Sequence, residues 1–149
     1  MGFKEAVRTC LREKYFTFSG RASRSEYWWF QLFFWLILAA LFALFFLLGG
    51  PNSIEGGQMT TFSIVFLILA GLLVLYLYVA TITVIVRRFH DKNLSGWWVL
   101  ALFIGGSVPY IGIVASLASF AIIVLKGTDG DNDFGPDPLQ EQSAADVFA

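Results

Sequence analysis

Residues 27–48 read YWWFQLFFWLILAALFALFFLL. That is 22 consecutive residues without a charge, more than the roughly 18–20 apolar residues a helix needs to cross a bilayer. The pattern recurs, since positions 27–54, 56–86 and 93–125 hold no Asp, Glu, Lys or Arg. Over 149 residues the chain is 57% hydrophobic and 14% charged, against about 25% charged in soluble domains. A soluble globular domain, a coiled coil and a disordered chain do not fit these figures. The single cysteine, Cys10, excludes an intrachain disulfide scaffold. The length allows one domain. One histidine and few acids expected to be buried leave little material for catalysis.

The ends of the apolar runs carry helix signals. Ser23–Arg24–Ser25–Glu26 fits the S-x-x-E capping box, in which the serine oxygen accepts a first-turn amide and the glutamate reaches back. The first span is therefore expected over 24–49, stopped by Gly49–Gly50–Pro51–Asn52. A polar loop at 52–58 follows, with Glu55 as its charge. The second span is expected over 59–88; its apolar run of 28 residues, 59–86, is longer than a perpendicular crossing needs, and Arg87 and Arg88 end it.

Residues 97–125 are ambiguous. As one helix their 29 residues would extend about 43 Å. Gly105–Gly106–Ser107–Val108–Pro109 lies inside the run, and proline removes a helix hydrogen bond and pushes its predecessor out of the α region. Either one kinked span or a hairpin of two short arms, 97–106 and 109–125, satisfies the pattern.

Ahead of the first span, residues 3–18 read as an amphipathic helix. Phe3, Val7, Leu11, Tyr15 and Phe18 recur at helical spacing, with Lys4, Glu5, Arg8, Arg12 and Glu13 mostly opposite. Lys14 falls inside the apolar arc and has to snorkel. Such a helix suits the headgroup layer, although packing on the bundle also accounts for it. The expected fold class is all-α: a polytopic membrane bundle with an interfacial N-terminal helix, two full spans, and a third apolar segment broken near Pro109. An acidic turn over 126–138 and a disordered tail over 139–149 complete the single domain.

Basic residues in short loops set orientation. The N-terminal region holds Lys4, Arg8, Arg12, Lys14, Arg21 and Arg24, the 87–96 loop holds Arg87, Arg88 and Lys92, and residues 50–58 hold none. The N-terminus and the 87–96 loop are therefore expected in the cytoplasm. Trp28–Trp29 and Trp97–Trp98 fall at the same interface, where amphipathic rings anchor.

Three polar clusters interrupt the apolar text: residues 18–28 (FSGRASRSEYW), 87–98 (RRFHDKNLSGWW) and 127–138 (GTDGDNDFGPDP). In this order they resemble the bacterial inner-membrane family of unknown function DUF-805, with its GRxSRxEYW-like opening, RRxHDxxxSGWW-like loop and GxNxxGPDP-like tail. The resemblance covers about residues 15–138. The Gly–Gly–Ser insert before Pro109 and the aspartate-rich tail depart from it mildly. It implies a multi-pass protein of the bacterial inner membrane and supplies no activity, substrate or catalytic residue.

The residues of these clusters define a candidate partner, lipid or ion-pair site: Arg21, Arg24, Arg87, Arg88, His90, Asp91, Asn132 and Asp137. Guanidinium forks suit lipid phosphate or a carboxylate, and Asp91 and Asp137 are the nearest acids by motif. A cation at the end of the second span also favours the negative helix end. His90–Asp91 suggests a base or metal ligand, yet chain neighbours seldom aim at one atom and no nucleophile is visibly paired with them. Zinc lacks a ligand set. Asp129-x-Asp131-x-Asp133 begins like a calcium loop, but Phe134 and Gln140 occupy the positions where glycine and glutamate belong. No catalytic, cofactor or metal residue is assigned.

Small residues in the last run, Gly112-x-x-x-Ser116 and Ala115-x-x-x-Ser119, suit close helix packing within the chain. The apolar runs hold no ionisable Asp, Glu, Lys, Arg or His, which counts against an ion-coupled transporter. The expected function is a small non-enzymatic scaffold or accessory subunit whose cytoplasmic face contacts a membrane protein, a second copy or anionic headgroups. An oligomeric channel or transporter for a small solute is the alternative. No nucleic-acid partner is expected.

Overall fold

The computed structural model describes residues 1–48, 54–55 and 58–140. The expected stop at 49–52 and most of the tail therefore lie outside the described residues. Apart from a two-residue antiparallel ladder, β1 (Ile54–Glu55) with β2 (Gln58–Met59), the described secondary structure is helical.

Helix α1 spans Phe3–Arg8 and runs into a π-helical turn over Thr9–Glu13, closed where the Lys14 amide donates to the Thr9 carbonyl at 2.7 Å. The helix thus ends five residues before the expected Phe18. The cause is Tyr15, whose ring stacks on Tyr76 at 4.6 Å. Its hydroxyl donates to the Tyr76 carbonyl at 3.1 Å and its own carbonyl accepts the Thr83 hydroxyl at 3.0 Å. Ala6, Thr9 and Cys10 are buried, so this segment packs on the bundle.

Among the described residues, two helices are long and apolar enough to cross a membrane: α2 (Arg24–Leu47) and α3 (Thr61–His90). Ser23 caps α2, its oxygen accepting the Glu26 amide at 3.2 Å, and Thr60 caps α3 through the Ser63 amide at 3.4 Å. Their apolar surfaces stay open; Trp35, Phe42, Leu69 and Leu72 are each 60% exposed or more. A water-soluble domain does not leave so much contiguous apolar surface uncovered, whereas hydrocarbon solvates it.

The third run is two helices, α4 (Trp97–Gly106) and α5 (Ile111–Val124). The turn between them places Tyr110 at φ 67°, and the Gly112 amide donates to the Val108 carbonyl at 2.8 Å. Close approach depends on small residues, because a Cβ at Gly112 would lie 2.6 Å from the Gly106 carbonyl oxygen. The end of α5 returns to the end of α3: the Thr128 amide donates to the Asp91 carbonyl at 2.8 Å.

The core sits at that same end. Cys10, Ala22, Tyr27, Phe30, Ala80 and Val84 form it, flanked by Leu11, Tyr15, Phe33, Ile85 and Ile123.

Candidate functional site

The last turn of α3 carries two consecutive arginines that are fully buried, Arg87 and Arg88. Neighbours on a helix point about 100° apart, so the two serve different sides of the bundle. Arg87 faces α1 and α2. Its Nη1 donates to Glu26 Oε1 at 2.6 Å, and the Cys10 thiol lies 3.7 Å from the same oxygen. The carboxylate of the expected capping box is therefore spent on an arginine, and only the Ser23 half of the box operates.

Arg88 faces the hairpin. It pairs with Asp91 one turn along, and its Nε donates to the Ile123 carbonyl at 3.1 Å. Its Nη2 donates to the Leu125 carbonyl. Carbonyls at a helix C-terminus lack intrahelical donors, so Arg88 caps α5 while lying at the end of α3.

Arg21 completes the cluster from the segment before α2. Its Nε donates to Asp91 Oδ1 at 2.9 Å, Nη1 to the Gly130 carbonyl at 2.5 Å and Nη2 to the Thr128 carbonyl at 2.6 Å. One carboxylate thus joins the opening motif to the α3 end, and one guanidinium joins both to the tail. Gly127 must be glycine for this packing, because a Cβ there would fall 2.0 Å from Asp91 Oδ2.

The tail is held by directed contacts of its own. The Asn132 amide group donates to the His90 carbonyl and to the Thr128 hydroxyl, each at 2.9 Å. Phe134 stacks on His90 with ring centroids 4.0 Å apart. His90 Nδ1 lies 3.2 Å from the Gly20 carbonyl. Asp137 is buried but makes no ion pair among the described residues; it accepts the backbone amides of Gly130 at 3.3 Å and Leu139 at 2.9 Å. Arg24 is exposed and takes no hydrogen bond or ion pair among the described residues.

Seven of the eight expected residues meet at one end of the bundle, with Arg24 at the rim. Glu26 and Cys10 were not in that set. An acid in the first turn of an apolar helix was the signal for Glu26, but helix capping accounted for it locally.

Three buried guanidinium groups accompany three buried carboxylates, Glu26, Asp91 and Asp137, of which only the first two form ion pairs among the described residues. Backbone carbonyls of residues 123, 125, 128 and 130 accept further guanidinium N–H groups, and the negative end of α3 favours the cations there. A cleft of about 230 Å³ opens beside the cluster, with Arg24, Ser25, Lys126, Asp129, Pro138 and Leu139 on its rim.

The chemistry of these groups is that of a structural clamp. Burial, then the neighbouring Glu26 carboxylate, push the Cys10 thiol up to about 12, so it stays protonated and a poor nucleophile. His90 has its Nδ1 committed to a carbonyl. Among the described residues no group of three His, Cys, Asp or Glu side chains could hold a metal ion.

Long apolar helices with a buried arginine–carboxylate clamp at one end define a small helical membrane protein. The chain belongs to the family described as "Protein of unknown function (DUF805)", which matches residues 15–136. Inner membrane protein YhaH of Escherichia coli (strain K12) is 37% identical over 132 residues, covering 87% of this chain and 93% of that protein. Inner membrane protein YhaI of the same organism is 33% identical over 130 residues, covering 85% and 89%. These names support an inner-membrane location. No solved structure matches the chain.

Proposed function

We propose that the chain is a small non-enzymatic scaffold or accessory subunit of the inner membrane, acting through its cytoplasmic face. In this reading α2 and α3 cross the bilayer, and α4 and α5 enter and return. The N-terminus, the 87–96 loop and the 126–138 turn then share the cytoplasmic side. The excess of basic residues at that end supports this placement. So do four tryptophans, Trp28, Trp29, Trp97 and Trp98, each at least 40% exposed.

The observation that carries the reading is the clamp. Arg21, Arg88 and Asp91 tie three polar motifs into one surface, and their charged groups are spent on one another and on backbone carbonyls. What remains for a partner is the rim, where Arg24 and Ser25 border the cleft beside the exposed Lys126–Asp129 pair. Such a rim suits a carboxylate-bearing partner or an anionic headgroup.

Purification from native membranes in mild detergent tests this, comparing the wild-type chain with an Arg24→Ala/Lys126→Ala double variant. The expected result is a specific membrane protein or anionic lipid retained by the wild type and lost from a variant of unchanged melting temperature. Identical co-purifying material in both overturns the rim assignment. Solute flux through vesicles containing only the purified protein replaces the scaffold reading with the transport one.

A further inference from the structure

The cleft beside the clamp, about 230 Å³, has room for about eight water volumes and two unlike walls. One is the start of α2, with Ser23, Arg24 and Ser25; the other is the tail, with Asp137, Pro138 and Leu139. Arg21, Arg88 and Asp91 also line it, but they are spent on one another and on carbonyls.

The α2 wall is a set of unused donors. The first amides of a helix have no intrahelical acceptor. Ser23 takes up the Glu26 amide at 3.2 Å, while the amides of Arg24 and Ser25 have no acceptor among the described residues. The hydroxyls of Ser23 and Ser25 lie 3.0 Å apart. One donates to the other, which leaves the second hydroxyl hydrogen without an acceptor among the described residues, although Ser23 is only 2% exposed. The guanidinium of Arg24, which forms no ion pair, stands beside them. Amides, a hydroxyl and a guanidinium at a helix start are the donor set of a phosphate site.

The tail wall carries the opposite need. Asp137 is 8% exposed and has no cation among the described residues. Its Oδ2 accepts the Gly130 amide at 3.3 Å and its Oδ1 the Leu139 amide at 2.9 Å. A carboxylate offers about four lone-pair sites, so each oxygen keeps room for another donor. Buried charges are normally paired. Arg24 and Asp137 line the same cleft and do not pair with each other, which leaves a cation without an anion and an anion without a cation. A simple anion would satisfy the α2 wall and be repelled by Asp137; a simple cation would do the reverse. A zwitterion satisfies both. The exposed Trp28 and Trp29 follow Ser25 within about one turn, which sets the cleft at the head-group layer in the membrane placement proposed above.

We propose that this cleft binds a phosphoethanolamine group, with its phosphate on the α2 amides, Ser25 and Arg24, and its ammonium donating to Asp137. The phosphate half rests on the rim reading given above; the ammonium half does not. A phosphatidylethanolamine head group and a soluble phosphoethanolamine ester share this chemistry.

Native mass spectrometry of the full-length chain in mild detergent, titrated with phosphatidylethanolamine, phosphatidylglycerol or phosphatidylcholine, tests it. The wild type retains one phosphatidylethanolamine in preference to both others. Phosphatidylglycerol has the phosphate without the cation, and the trimethylammonium of phosphatidylcholine has no N–H to donate. Arg24→Ala retains about tenfold less of each lipid, as the loss of one charge-assisted hydrogen bond requires. Asp137→Asn keeps an oxygen for a backbone amide, loses the preference for ethanolamine and still retains phosphatidylglycerol. Glycerophosphoethanolamine, the head group without acyl chains, separates the sources: retention equal to that of the lipid assigns a soluble ester, and weaker retention assigns the lipid. Equal retention of phosphatidylethanolamine and phosphatidylglycerol by the wild type, with both lost in Arg24→Ala, overturns the zwitterion site and leaves the rim reading standing. An ethanolamine preference that survives in Asp137→Asn also overturns it. Wild-type retention in Arg24→Ala removes the phosphate seat and the rim reading with it. The comparison of head groups on the wild type decides the matter even where Asp137→Asn does not fold.

Discussion

Asp91 is bonded to both Arg21 and Arg88, and all three are 5% exposed or less. Removing this carboxylate leaves two guanidinium groups buried without it, a loss of about 3–5 kcal/mol for a broken buried pair. The exposed Lys126–Asp129 pair is worth about 0–1 kcal/mol. Asp91→Ala should therefore lower the melting temperature in detergent clearly, whereas Asp129→Ala should leave it near the wild-type value; equal shifts would refute the clamp. Cys10 gives a second test at this scale. A thiol raised from 9.0 to about 12 contributes stability that is present below pH 9 and lost as pH rises toward 12. Alkylation of the native protein should thus stay slow at pH 9, where an unperturbed thiol is half ionised, and become fast in denaturant. Fast labelling of the native chain would show that Cys10 is neither buried nor protonated. The sequence marked the arginines and Asp91 because all of them punctuate apolar text. It placed Asp91 and Asp137 as acceptors for these arginines, and Asp91 takes two of them; it could not single out Arg21, which reaches Asp91 from 70 residues away. Asp137 looked equivalent to Asp91, but the glycine turn around it aims its carboxylate at backbone amides.

Helix boundaries were legible where local chemistry decides them. Ser23 starts α2 by accepting an amide three residues on, and Pro109 breaks the third run as its geometry requires; the Thr60 cap of α3 was not read, and α3 spans Thr61–His90 where 59–88 was expected. The N-terminal helix was read too long because its ending depends on Tyr76 and Thr83, which lie more than sixty residues away in the chain. Residues 97–125 show packing that periodicity cannot express: Gly105 and Ala115 face each other, and Gly112 approaches the Gly106 backbone. That contact predicts a contrast between two glycines in apolar helices. Gly112→Ala forces its Cβ against a carbonyl oxygen and should cost about 1–3 kcal/mol as overpacking. Gly71→Ala on α3 meets nothing within 4 Å and should stabilise by up to about 1 kcal/mol through helix propensity. Thermal unfolding of the two variants in one detergent checks the sign of each; a neutral Gly112→Ala would mean that α4 and α5 do not approach this closely.

At the scale of the whole molecule, the polar contacts gather at one end. The opening motif, the end of α3, the end of α5 and the tail share hydrogen bonds, while much of the apolar surface of α2 and α3 stays open toward lipid. This polarity bears on the side of the C-terminus. A single kinked crossing from Trp97 to Leu125 would carry Leu125 about 40 Å from Trp97, to the far interface. Arg88 could not then reach the Leu125 carbonyl, nor could Thr128 reach Asp91. The bonds and a far-side C-terminus exclude each other. Reporter fusions at residue 1 and after Gln140 should therefore give the same cytoplasmic signal, and a fusion in the 50–58 loop a periplasmic one. Opposite signals from the two ends would require the clamp to be broken in the membrane, and Asp91→Ala would then leave stability unchanged. Because that variant is expected to be strongly destabilised, the two measurements check one geometry by independent routes.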